Sequence, residues 1–229
     1  MTRPRSGSVA FASSAPADRK QEILRAAVRV VARRGFANTR ISDIAEEIGV
    51  TGPLLLHYFG SKNELITQAL VASDEAYLEE FLEDFRNGER PERLVVKYVE
   101  DSVWPAPEGR GWWAEASAVW MNAWITAMHD SAIAAVREAE DQRWRDALAE
   151  VIAKGQKDGA FDAKVDPTAV VRTVFALLDG FMVQLVLEDP GVSSHFAYEA
   201  SLRFLGSELG FDPHEFTSRG DASVAAPRR

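Results

Sequence analysis

Residues 39–62 bring together side chains suited to meeting a polyanion. Thr51 can hydrogen-bond a base or a phosphate, and His57 and Tyr58 can donate to phosphate oxygens. Thr39 and Arg40 can hold the flanking backbone. Lys62 stands at the mouth of a predicted helix, whose positive end adds to its charge. Thr51, Gly52, Pro53 and Leu54 fall where groove readers place base contacts, and Pro53 and Leu54 can touch a thymine methyl. A plainer reading leaves Tyr58 and Leu55 in a core and His57 merely exposed. The chemistry on offer is non-covalent recognition of a duplex. Nothing comparable supports catalysis. His57, His129, His195 and His214 lack metal-ligand spacing, and the chain has neither a glycine-rich phosphate loop nor a nucleophile elbow. Without cysteine it has no disulfide, thiolate chemistry or thiolate metal site. No enzyme, metal or cofactor is expected.

Two short helices must position these groups. Ile41, Ile44, Ala45 and Ile48 recur at helical spacing, with Asp43, Glu46 and Glu47 opposite. Thr39 is a cap candidate for that helix, and Gly49 suits the left-handed turn that ends it. Thr51 is a second cap candidate, Pro53 is tolerable only in a first helical turn, and Leu55 and Tyr58 can face back. A small residue at Ala45, the turn at Gly49, and apolar Val50 and Leu55 follow the packing logic of a helix-turn-helix.

Residues 35–65 resemble the DNA-binding domain of the TetR family of transcriptional regulators. Gly35, Phe36, Thr39, Ile44, Ala45, Gly49, Val50, Leu55, Tyr58, Phe59, Ser61, Lys62 and Leu65 match that family's pattern. Arg40, Ile48, Pro53 and Leu56 depart from it. Leu56 replaces a common tyrosine, so the reading surface is more apolar than usual, with more reliance on methyl contacts and backbone. Within 64–210, the segments AEASAVWMNAWITAMHDSAIAAVREAEDQRW and FALLDGFMVQLVLEDP are similar to the BetI-like, betaine- and choline-responsive branch. The resemblance covers residues 17–210. It implies a homodimeric, ligand-responsive regulator, a repressor released from a palindromic operator when a small cationic or amphipathic effector binds the body. In that reading Lys62 anchors a phosphate, and the effector tilts the helix joining head to body. Two recognition helices would then sit roughly 34–36 Å apart on successive major grooves. The rival reading is an all-α small-molecule binding protein whose head does not bind an operator.

The remaining chain fits that outline. A hydrophobic content of 46% with 27% charged residues belongs with globular domains, and 229 residues suffice for a sizeable core. Residues 1–63 carry +5 and residues 64–229 carry −14, making the net −9. That divides a basic head from an acidic body, although the acids can equally be solvated helix faces. Residues 1–16 read as a disordered tail without a signal-peptide pattern, with Arg3 and Arg5 as chance arginines or a minor-groove arm. A cytoplasmic location is the default. The head is 17–63, the body 64–210, and 211–229 a polar tail. Predicted helices cover 18–34, the two of the motif, 62–85, 90–104, 112–128, 130–157, 167–187 and 194–209. The chain is therefore all-α with about nine helices. Residues 170–187 are apolar enough for a membrane span, but Arg172, Asp179 and Gln184 interrupt them, and a buried helix is the expectation rather than a membrane partner.

Three sets in the body call for explanation. Trp113, Trp120 and Trp124 share one helical face, as an aromatic cage for a cation or as ordinary core. Asp179 interrupts an apolar run, so it must be paired, exposed, or turned toward a pocket. Phe175, Phe181, Val183, Phe196, Phe204 and Leu205 can build a four-helix seam between two chains or an internal core.

Overall fold

The computed structural model describes residues 16–35, 38–103 and 131–217, with isolated positions 117, 120, 121, 124, 125 and 127–129. Among them lie eight α-helices: α1 (Pro16–Arg34), α2 (Ile41–Glu47), α3 (Gly52–Phe59), α4 (Lys62–Arg86), α5 (Pro91–Val103), α6 (Ser131–Asp158), α7 (Pro167–Val186) and α8 (Ser194–Leu209). A 3-10 turn, Pro213–Phe216, follows. Most of the predicted aromatic helix 112–128, including Trp112 and Trp113, lies outside the described residues, as do Arg3 and Arg5.

The described chain builds two apolar cores. In the head, Ile23, Ala27, Val30 and Val31 of α1 pack with Ile44 and Ala45 of α2, Leu55 and Phe59 of α3, and Leu65, Ile66 and Ala69 of α4. In the body, Leu78 and Phe81 of α4 join Leu94 and Val99 of α5, Trp144 and Val151 of α6, Val170 and Val174 of α7, and Leu202 and Leu209 of α8. Helix α4 therefore belongs to both cores. At about 1.5 Å per residue its 25 residues span about 37 Å. Ser61 caps its start, Oγ accepting from the Glu64 amide at 3.0 Å.

Local chemistry sets the other ends. Asp166 caps α7 by accepting from the Thr168 amide at 2.9 Å, and Pro167 opens the helix without a wasted amide. Gly210 ends α8 at φ +74°. The expected polar tail does not begin there. Phe211 packs on Phe161 with ring centroids 5.1 Å apart, and Pro213 is buried, so the body continues to Thr217. Helix α7, mean hydropathy 1.7, is long and apolar enough to cross a membrane, yet it packs against α5, α6 and α8.

Candidate nucleic-acid interface and effector site

The turn between α2 and α3 is built as its residues require. Gly49 takes φ +66°, and the Val50 amide donates to the Ala45 carbonyl at 2.9 Å. Ala45 and Leu55 are buried at the crossing. A Cβ on Gly52 would stand 3.3 Å from Ile41 Cγ2, so the absence of a side chain there lets α3 start against α2. Three arginines of α1, each more than half exposed, also tie that helix to α2. Arg29 and Arg33 reach Glu47 at 3.2 and 2.5 Å, and Arg34 reaches Asp43 at 3.4 Å. Hydrogen bonds from Arg33, then Arg29, hold the Glu47 carboxyl below its usual range.

Helix α3 presents Pro53, Leu54, Leu56, His57 and Tyr58 outward, behind an exposed Thr51. Two expectations change here. Tyr58 is 42% exposed, and Phe59 joins Leu55 in the core, because the inward pair is spaced by four residues. Thr39 is 1% exposed; its hydroxyl donates to the Gly35 carbonyl at 2.7 Å and is turned into the protein, away from a nucleic-acid backbone. It does not cap α2 either, since Arg40 holds that position and its amide donates to Asp43 Oδ2 at 2.8 Å. Thr51 occupies the α3 cap position without a side-chain cap bond. Lys62 Nζ lies 3.2 Å from the Thr39 carbonyl, placing its charge between the head's loop and the start of α4. Arg40 is exposed on the same loop.

In the body the aromatic centre is one the sequence reading passed over. Trp144 of α6 is buried, with its ring 5.2 Å from Tyr77, 5.5 Å from Phe81 and 5.3 Å from Tyr98. Phe175 stacks on Tyr98 at 5.6 Å. Trp144 Nε1 donates to Asp74 Oδ2 at 3.0 Å. Burial, with Glu140 and Asp141 nearby, raises the Asp74 carboxyl to about 6 against the hydrogen bond from Trp144. Asp179 is open to water on one side. Desolvation on its other sides, then repulsion from Asp141, raises it to about 6 against Arg137 and Arg145. The Tyr98 phenol is pushed far up, first by burial and then by the negative charges of Asp179, Asp74 and Asp141. Of the predicted cage, Trp120 is half-buried against the head's core, Trp124 is half-buried, and Trp113 is outside the described residues.

The expected dimer residues divide. Phe181 and Leu205 are buried in the body's own core, and Phe175 is taken up by Tyr98. Phe204 and Val183 are half-buried, and Phe196 is 47% exposed. Leu187, just past α7, is 69% exposed and extends that open apolar face.

Comparison with known proteins agrees with this geometry. Residues 23–69 match the model of bacterial regulatory proteins of the tetR family, and residues 91–210 match the BetI-type transcriptional repressor C-terminal model. The chain is 27% identical over 127 residues to the HTH-type transcriptional regulator BetI of Stenotrophomonas maltophilia, covering 55% of this chain and 62% of that protein. It is 22% identical to BetI of Vibrio vulnificus over 86% of this chain and 95% of that one. A transcriptional regulator of Saccharomonospora viridis, solved in complex with choline, superposes with a TM-score of 0.67 at 25% identity, covering 84% of this chain and 98% of that one. The chain belongs to the TetR family of transcriptional regulators, with a body of the BetI type.

Proposed function

We propose that the protein is a cytoplasmic repressor that binds a palindromic operator as a homodimer and is released when a small cation binds its body. The observation that carries this reading is the course of α4, which runs unbroken from Lys62 at the head to the Asp74–Trp144 hydrogen bond in the body. A ligand that moves the body end of this helix moves the head. The aromatic rings of Trp144, Tyr77, Tyr98 and Phe175, with Asp74, Asp141 and Asp179 around them, supply faces and charge for a cation. The choline bound to the Saccharomonospora viridis relative supports that class of effector. Helices α7 and α8 form the dimer seam through Val183, Leu187, Phe196 and Phe204.

The test selects duplexes from a random library with the full-length protein, then titrates choline while following operator release and tryptophan fluorescence. Release with a fluorescence change, weakened in Asp179→Asn, is expected. If no duplex is preferred over random sequence, the operator reading fails. If operator binding is specific but choline and small polyamines change neither signal, the cationic effector fails alone.

A further inference from the structure

The reading helix is chemically unusual for a groove reader. Its side chains, GPLLLHYF, include no Arg, Lys, Asn, Gln, Asp or Glu, the types that pair with base edges through bidentate or charge-assisted hydrogen bonds. Leu55 and Phe59 are fixed in the head's core, which sets how the helix is turned. Pro53, Leu56 and His57 then share one outward strip, and Leu54, His57 and Tyr58 another, so His57 is flanked by apolar groups. Leu54 is 36% exposed and Leu56 43% exposed on a helix of eight residues. Arg40, exposed on the loop before α2, and Lys62, first residue of α4 with its Nζ 3.2 Å from the neighbouring Thr39 carbonyl, bring positive charge to the same head. A face of apolar groups on a head that also carries these cations fits a major groove whose walls are phosphates and whose floor carries thymine methyls.

We infer that Pro53, Leu54 and Leu56 read the operator mainly through thymine 5-methyl groups, while Thr51, His57 and Tyr58 contribute single hydrogen bonds to bases or phosphates. The inference rests on the operator-binding reading above. Each half-site then carries thymines beneath Leu54 and beneath the Pro53–Leu56 strip, and cytosine is rejected there because it lacks the methyl.

Deoxyuridine provides the test, since it pairs as thymine does and keeps O4 but has no methyl. Full-length protein is first used to select its preferred duplex, and each thymine of that duplex is then replaced singly and in combination. Losing one packed methyl is expected to weaken binding about fourfold, from ~0.8 kcal/mol per buried carbon group at 1.4 kcal/mol per tenfold. Four replacements across both half-sites should cost about two orders of magnitude. Leu54→Ala should bind the thymine duplex more weakly and become indifferent to deoxyuridine at one position of each half-site. Placing 5-methylcytosine in a cytosine-substituted operator should restore part of the affinity. A selected operator that binds equally well with deoxyuridine throughout overturns methyl reading and leaves operator binding intact. Failure to select any duplex overturns operator binding itself.

Discussion

Replacing Lys62 separates two roles that the structure superimposes on one ammonium group. Its Nζ is 3.2 Å from the Thr39 carbonyl, tying α4 to the loop before α2, and the same charge stands at the N-terminal end of a 25-residue helix. Lys62→Gln keeps a donor for Thr39 and removes the charge; Lys62→Ala removes both. If Lys62 neutralises one phosphate per head, the counterions condensed on two phosphates are released when two heads bind. With a slope of about −0.9 per phosphate in log K against log salt, the wild-type slope should be steeper than the Lys62→Gln slope by about 2. Between about 50 and 200 mM salt the affinity gap between the two proteins should then narrow about tenfold. Fluorescence anisotropy on the selected duplex measures this, with thermal melting alongside. Parallel salt slopes for wild type and Lys62→Gln would refute the phosphate role. A lowered melting temperature for Lys62→Ala alone would then leave Lys62 as a structural tie.

Three further outcomes follow from packing and charge. A Cβ at Gly155 would lie 2.3 Å from the buried Phe161 ring, so Gly155→Ala should cost about 1–3 kcal/mol in urea unfolding, and an unchanged midpoint would contradict the packing. Asp74 titrates near 6 in the folded protein against 3.8 ordinarily, so it holds its proton more tightly when folded and stability should fall as pH rises from about 4 to 6. Asp74→Asn should flatten that part of the melting profile and be more stable at pH 7 by at most about 3 kcal/mol, and coincident wild-type and variant profiles would contradict it. Phe196→Asp, on the open face of α8, should shift sedimentation to the monomer with helical content retained, and a persistent dimer would place the seam elsewhere.

The head was legible because its signals are local. The turn at Gly49 and the inward positions Ile44, Ala45 and Leu55 depend on residues within a few positions of one another. Tyr58 and Phe59 show where that reasoning slips. Both are aromatic neighbours, and only the four-residue spacing from Leu55 selects Phe59 for the core. Thr39 is a cap candidate by residue type, but its hydroxyl donates to the Gly35 carbonyl and Arg40 takes the cap position. In the body the decisive partners are far apart in the chain. Trp144 sits in a strongly charged stretch, and nothing local announces that Tyr77, Tyr98 and Asp74 converge on it. The three neighbouring acids Glu140, Asp141 and Asp146 were the available clue that this tryptophan has polar company.

For an effector to govern DNA binding, it must favour one setting of α4 over another. Leu65, Ile66 and Ala69 fix that helix in the head, Leu78 and Phe81 fix it in the body, and Asp74 lies between the two anchored stretches. Its hydrogen bond to Trp144, with the Arg143–Glu75 pair at 3.1 Å beside it, is the polar tie between α4 and α6 at that level. A tenfold change in operator affinity requires about 1.4 kcal/mol of coupling. A hydrogen bond to a charged group contributes about 1.5–3 kcal/mol, so making or breaking this one bond suffices. Trp144→Phe keeps an aromatic ring against Tyr77, Phe81 and Tyr98 and removes the donor. It should leave effector binding measurable by calorimetry while reducing the effector's influence on operator affinity severalfold. Full coupling in that variant would mean that the signal passes through packing of α4, not through Asp74.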